Sequence, residues 1–308
     1  MNYTIHQLKI FLKVAEYQSV TKASEALFLT QPAVSIQLKK FQDQFTIPLV
    51  EVIGRKLYVT DFGKEIAESA QKVLDEIEAI NYKTKSLKGQ LAGRIKISSA
   101  STGKYVMPYF LGEFLQQNPG IDLIMDVTNK SQVVQSLEKN EVDFALVSVL
   151  PEHLSLNTIE LLQNKLFLVG GTRIKRPPQL SIKKLFERYP LLYRESGSAT
   201  RNSMEKFILQ EDLPTYKKIE LTSNEALKQA LIAGLGYSIM PLIGIKNELR
   251  NGDLEIIPYK GLPIITHWNL VWLSAKKLSP VAEAYLEFIK VEKDRIIKET
   301  FNWFENYK

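Results

Sequence analysis

Apolar residues recur at helical spacing through the first part of the chain and gather into short strand-like runs through the rest. Ile5, Leu8, Phe11, Leu12 and Ala15 mark one face of a first helix, with Thr4 placed to cap it. Residues 19–45 then read as two short helices joined by a tight turn. Thr21 is positioned to cap the first, whose Ala23, Ala26 and Leu27 fall at i, i+3, i+4. In the second, Thr30 is the expected cap, and Gln31 and Pro32 fill the first turn, where proline's missing N–H costs little. Ala33, Val34, Leu38 and Phe41 or Phe45 supply its buried stripe. Gln31, Ser35, Gln37 and Lys39 are left to face outward, as a helix that meets base edges and phosphates requires. Alone, this spacing also fits a small helical bundle with a solvated face.

Residues 48–60 hold two short β-rich runs around Gly54, Arg55 and Lys56, which predicts a hairpin wing with a basic tip. From residue 61 to 88 the spacing changes to a heptad seam. Ile66, Ala70, Val73, Ile77, Ile80, Thr84 and Leu87 alternate in steps of four and three. A seam of that length has nothing to bury it within one small winged domain, so it predicts a dimer.

Beyond a short glycine-containing linker, strand-like runs at 95–98, 121–127, 144–149, 166–169, 191–193, 219–221, 237–240 and 269–273 alternate with helical runs. Such alternation predicts an α/β region with mainly parallel sheets. Its length suits two lobes, about 94–167 with 268–308 and about 168–267, with crossings near 168–172 and 263–268. The expected division is a winged helix-turn-helix at 1–60, a dimerising linker helix at 61–88 and an effector-binding region at 89–308.

Composition narrows the chemistry. At 308 residues, 45% hydrophobic and 24% charged, the chain has the make-up of a soluble protein of two or three domains. A net charge of +6 and a pI near 9.1 fit a polyanionic partner. With no cysteine there is no disulfide, thiolate metal site or cysteine nucleophile. His6, His153 and His267 lack metal-ligand spacing, and no metal site is expected. Gly234 and Gly236 begin like a dinucleotide fingerprint but end a helix and lack the third glycine. Neither a Walker loop nor a nucleophile elbow occurs, so neither an enzyme nor a cofactor is expected. The first eighteen residues are interrupted by Lys9, Lys13 and Glu16 and do not read as a secretory segment; a cytoplasmic location without a membrane partner is expected.

Ligand chemistry is better represented. Ser99, Ser101 and Thr102 sit between a strand and a helix, where hydroxyls and free N–H groups can hold an anion. Arg194, Ser198 and Thr200 follow a strand of the other lobe, and an arginine there can clamp a carboxylate or phosphate, or pair with Glu195. Thr128, Ser148 and Asn224 occupy further strand-to-helix corners. Each alone is more often a cap. Together they point to a small, anionic effector.

The parts in this order resemble the LysR-type transcriptional regulators. Thr21, Ala23, Ala26, Leu27, Gln31-Pro32-Ala33-Val34-Ser35 and Gln37 match that family's signature. In the effector region SSASTGKYVMP, RESGSATR and SNEALKQALIAGLGYSIMP are similar to the branch containing activators of carbon-fixation (RuBisCO) operons. The resemblance implies a winged helix-turn-helix, a long linker helix and a two-lobed, periplasmic-binding-protein-like effector domain. It also implies a homodimer assembling to a homotetramer on an interrupted dyad of double-stranded DNA near a promoter, with RNA polymerase as a further partner. Thr30, Gln31, Pro32, Ser35, Gln37 and Lys39, with Arg55 and Lys56 on the wing, take the DNA-binding role, while Ser99, Ser101 and Thr102 match the effector corner. The chain departs from the family's pattern at Val52 and Ile36, where arginine is frequent, and at Gln42-Asp43. The alternative is a cytosolic small-molecule-binding protein or enzyme whose N-terminal helices serve only for assembly.

Overall fold

Helix α1 (Ile5–Tyr17) begins where Thr4 and Gln7 close a capping box in the computed structural model, which describes residues 2–54, 56–86, 91–175 and 181–307. Its inward face is Gln7, Leu8, Ile10, Phe11 and Val14; Ile5 is exposed, contrary to the apolar spacing. Gln7 can be buried because its carbonyl accepts from Thr4 N and its amide donates to Gln37 Oε1 at 3.2 Å.

Helix α2 (Val20–Ala26) is capped by Ser19, which accepts from Lys22 N, so Thr21 lies inside the helix rather than at its start. Ala23 and Ser24 face inward and Ala26 outward. Helix α3 (Gln31–Gln42) packs Val34, Leu38 and Phe41 into a core with Phe11, Val14 and Leu49. Burying a ring such as Phe11 or Phe41 contributes about 1.5–3 kcal/mol.

Strands β1 (Val50–Ile53) and β2 (Lys56–Val59) pair antiparallel with Ile53 opposite Lys56, the expected hairpin, with Lys56 already in its second strand. Helix α4 (Asp61–Ser86) follows. Its first half belongs to the same core: Ala70 is buried, and Ile66, Ala67 and Leu74 pack beside it. Ala70 is therefore taken up by the core of its own unit, against which half-buried Ile66 packs. Val73 and Ile80 are 47% and 61% exposed. Leu87 lies outside the described residues. These elements form one compact unit, Met1–Gln90.

The second unit, Leu91–Lys308, is built on a mixed sheet. Strands β3 (Ala92–Ala100), β4 (Gly120–Thr128) and β5 (Phe144–Val147) form the sheet of one lobe, with β3 parallel to both neighbours. Strands β7 (Leu191–Arg194), β8 (Lys218–Leu221) and β9 (Tyr237–Pro241) form that of the other, again parallel about β7. Two long strands join them. β6 (Leu156–Gly171) and β11 (Ile264–Leu273) run antiparallel to each other; β11 also pairs with β5, and β6 with β9 and with β10 (Leu254–Ile256). The sheet is thus parallel within each lobe and antiparallel at the crossings, rather than mainly parallel. The outward crossing lies inside β6, where its pairing passes from β11 to β9 at Leu166, and the return at the start of β11.

Helices α5 (Met107–Gln117), α7 (Ile182–Arg188), α9 (Asn224–Ile232), α10 (Lys246–Asn251) and α11 (Pro280–Thr300) belong to the same unit, and the two faces of its sheet differ. On one, a single apolar core continues from Phe110, Phe144 and Trp268 to Leu192, Leu227 and Met240, so both lobes share it. On the other, the cores are separate. Val133 and Leu137 of α6 (Lys130–Glu138) cover Ala145 and Val147 in the first lobe. Met204, Phe207 and Ile208 of α8 (Ala199–Gln210) cover Tyr193 and Ile239 in the second. The division between these two cores is where the lobes can part.

Candidate functional site

The outward face of α3 comprises Gln31, Pro32, Ser35, Ile36, Lys39 and Lys40, all exposed. Gln37, expected on this face, is half-buried and held by Gln7. Thr30 occupies the N-cap position, but its hydroxyl makes no capping hydrogen bond, so the expected cap is not formed. Lys56 is exposed on the wing, and Arg55 lies outside the described residues. The polar side chains of this face point to solvent beside two lysines at the C-terminal end of the helix, a surface suited to bases and phosphates.

The second place is the junction of the lobes. Residues 101–105 form a 3-10 turn after β3, and a Cβ on Gly103 would collide with Ser99 Oγ and Leu146. Ser101 Oγ accepts from Arg194 Nη1 at 3.1 Å and from Asn224 Nδ2 at 3.0 Å. Both donors come from the opposite lobe. Nearby, Ser131 N donates to Gly197 O at 3.4 Å. Gly197 has φ +85°, and a Cβ there would come within 2.7 Å of Ser131 Oγ. Only glycine allows that approach without strain.

Arg194 does not act as a free clamp. Its Nε and Nη2 each bond Glu195 at 2.8 Å, and the guanidinium is buried. Arg201 is likewise engaged by Glu205 and Glu220. Both arginines are thus paired with neighbouring carboxylates. Ser99 and Thr102 are buried beneath the turn, and Ser198 caps α8. Thr128 pairs with the Gln132 side chain, while Ser148 and Thr200 are half-buried at their corners.

A cavity of about 770 Å³ opens beside these residues, on the face where the two cores are separate. Lys130 of α6, Asn202, Ser203, Lys206 and Phe207 of α8, and Ile264, Ile265 and Thr266 of β11 line it. Its volume is in the range of small-molecule sites. Lys130 is half-buried, and burial lowers its pKa below the ordinary lysine value against a weaker pull from Glu152. Among the described residues it forms no ion pair. None of the sequence-predicted effector residues lines the cavity, yet Lys130 and Ala199 are chain neighbours of several of them. The sequence signal for Lys130 was only its place at a strand-to-helix corner after Thr128.

Across the sheet, Tyr105 lies against Gly244. The Lys228 ammonium bonds Glu248 at 2.8 Å and Glu225 at 3.0 Å. Burial opposes its charge, but these carboxylates outweigh it and hold its pKa above the ordinary value. Among the described residues, no helix is long and apolar enough to cross a membrane, and no cluster of three metal-capable side chains occurs.

The model of the LysR substrate binding domain matches residues 88–293, and that of the bacterial regulatory helix-turn-helix protein, lysR family, matches residues 5–64. The chain belongs to the LysR family. This regulator is 35% identical to the HTH-type transcriptional activator CmpR of Synechocystis sp. over 290 residues, 94% of this chain and 95% of that protein. It is 33% identical to a RuBisCO operon transcriptional regulator of Acidithiobacillus ferrooxidans, over 93% of each chain. Among solved structures, the regulatory domain of Synechocystis CcmR in complex with 2-PG is 30% identical, covers 68% of this chain and 98% of its own, and superposes with a TM-score of 0.60. Full-length CbnR complexed with its target DNA shares the fold, with a TM-score of 0.70 at 18% identity over 93% of this chain and 99% of that one.

As a LysR-type transcriptional regulator, the chain carries a DNA-binding helix-turn-helix and an effector-binding domain and is not an enzyme. The alternative of a binding protein or enzyme with helices for assembly alone is not favoured. Its relatives are named as transcriptional regulators, and they match nearly the whole chain.

Proposed function

We propose that this LysR-type regulator responds to a small phosphorylated carboxylic acid held between Lys130, the α8 side chains and β11. The observation that carries the reading is Lys130: a half-buried ammonium in the wall of a cavity, in no ion pair among the described residues and with only a weaker pull from Glu152. An anion there offsets the cost that burial places on the charged form. Lys206 adds a second cation, while Glu205 is already engaged by Arg201. The 2-PG bound by the CcmR regulatory domain is an acid of this chemical class.

The DNA-reading surface in this proposal is α3 with Gln31, Pro32, Ser35 and Lys39, supported by Thr30 and by Arg55 and Lys56 of the wing. The later part of the α4 seam, exposed Val73 and Ile80 with half-buried Ile77, joins two chains, and dimers pair into tetramers on an interrupted dyad. The effector acts by binding one arrangement of the two lobes better than another, since a ligand shifts an equilibrium only by that difference.

Thermal unfolding of the full-length protein with 2-phosphoglycolate, 2-phosphoglycerate, glycolate and inorganic phosphate tests the effector. A phosphorylated acid at about one hundred times its Kd stabilises by about 2.7 kcal/mol, and Lys130→Met removes that gain. Stabilisation by none of the four, or an equal gain in Lys130→Met, overturns it. Footprinting across a salt series tests the DNA arm: a dyad protected with a steep salt slope is expected.

A further inference from the structure

The outward face of α3 is two parallel rows at i, i+4 spacing. One is polar, Gln31, Ser35 and Lys39; the other is Pro32, Ile36 and Lys40. Ile36 is 54% exposed and belongs to no apolar cluster of its unit. A β-branched residue in mid-helix is less favourable than the straight-chain residues that usually occupy exposed helix positions. Its own fold therefore gives it nothing in return. It lies one residue from Ser35 and one turn from Pro32, so its apolar surface continues the face that meets DNA.

We infer that Pro32 and Ile36 form an apolar strip that reads a thymine C5-methyl in the major groove, beside the hydrogen-bonding row. In that groove thymine alone offers a methyl, and an apolar side chain against it separates thymine from cytosine without a hydrogen bond. Lys39 and Lys40, ending the two rows, face the phosphates on either side. This rests on α3 being the base-reading element, and the experiment separates the two claims.

Duplexes are selected by the full-length protein from a random library, and each fixed thymine is then replaced by uracil, which removes the methyl and leaves the pairing edge intact. One position per half-site is expected where the swap weakens wild-type binding about fourfold, the worth of one buried methyl-sized group. Ile36→Ala should bind the thymine duplex less well and be indifferent to that swap, and Ile36→Arg should select guanine there. Because Ile36 is outside the core, the unfolding midpoint of Ile36→Ala should match wild type; the uracil arm needs no variant at all. No uracil effect in wild type, or the same effect in Ile36→Ala, overturns the thymine reading. If Gln31→Ala still loses binding in that case, α3 stands as the base-reading element; if neither variant changes binding, both claims fall.

Discussion

Arg194 Nη1 donates to the Ser101 hydroxyl at 3.1 Å across the junction of the two lobes. The same hydroxyl accepts from Asn224, so one small side chain holds two donors of the other lobe. Its Nε and Nη2 bond Glu195, so three of the five guanidinium N–H groups are engaged and one on each terminal nitrogen is left over. The corner expected to bind the effector also latches the two lobes together in this structure.

Ser101→Ala leaves the Arg194 and Asn224 donors facing a methyl group. The loss should be about 1–3 kcal/mol, the desolvation cost of unpaired buried polar groups. Thermal unfolding measures the loss, and small-angle scattering of the full chain should show a wider distribution of sizes. DNA binding should persist, while the response to the effector should weaken because the two lobe arrangements then differ less in energy. An unchanged midpoint would show that the latch holds nothing.

The lowered pKa of Lys130 makes a pH prediction of definite sign. Its folded pKa lies below the unfolded one, so the charged lysine costs stability at neutral pH, and that cost lifts as pH rises through the window from its folded pKa to about 10.5. Lys130→Met should therefore raise the unfolding midpoint of the ligand-free protein at pH 7. Binding of a phosphorylated acid should weaken at high pH as Lys130 loses its proton, and at low pH as the phosphate gains one near its second pKa of about 6. Calorimetric titration across pH checks both limbs; in Lys130→Met the upper limb should vanish.

Along α4, the packing assigns different jobs to different parts of one heptad series. Ile66 and Ala70 belong to the core of the first unit, and Ile80 is 61% exposed. Ile77→Lys with Ile80→Lys should give folded monomers by sedimentation. Ala70→Lys should instead unfold the first unit, because it puts a charge among Phe11, Val14 and Leu49. Persistent dimers in the first variant would place the interface elsewhere.

What the sequence made legible follows the range of the forces involved. Val34, Leu38 and Phe41 announced the buried stripe of α3, because a helical face depends only on nearby residues. Gln7 was overlooked for the opposite reason: its burial depends on Gln37, thirty residues away. Ser19 and Thr21 are equally good caps by type, and only the entry of the chain decided for Ser19. The first half of β6 carries Asn157, Glu160 and Gln163 among its apolar residues and shows no strand-like run; it is a strand because β11 lies beside it. Ile66 could not announce whether its partner was its own domain or a second chain. The cavity at Lys130 had no motif, since it exists only where α6 and α8 line one space from opposite lobes.

Lys165 ties the C-terminus to the crossing strand. It is buried in β6, and its ammonium donates to three carbonyls, Phe304 at 3.1 Å, Glu305 at 2.7 Å and Tyr307 at 3.1 Å. These belong to the end of the short helix α12 (Asn302–Glu305), where backbone carbonyls lack helical partners and a cation is favoured. Lys165→Met keeps the apolar stem beside Phe304 but leaves the three carbonyls without their donor. About 2–4 kcal/mol should be lost if two or three of them stay buried. Hydrogen exchange should then speed at residues 304–307 and at the β6–β11 pairing around Asn164 and Thr266, whose side chains bond at 3.0 Å. Faster exchange at the C-terminus alone would mean that the last turn is held by the crossing strand without steadying it in return. Unchanged exchange at both would show that the aromatic packing of Trp303 and Phe304 suffices and that the ammonium adds no rigidity.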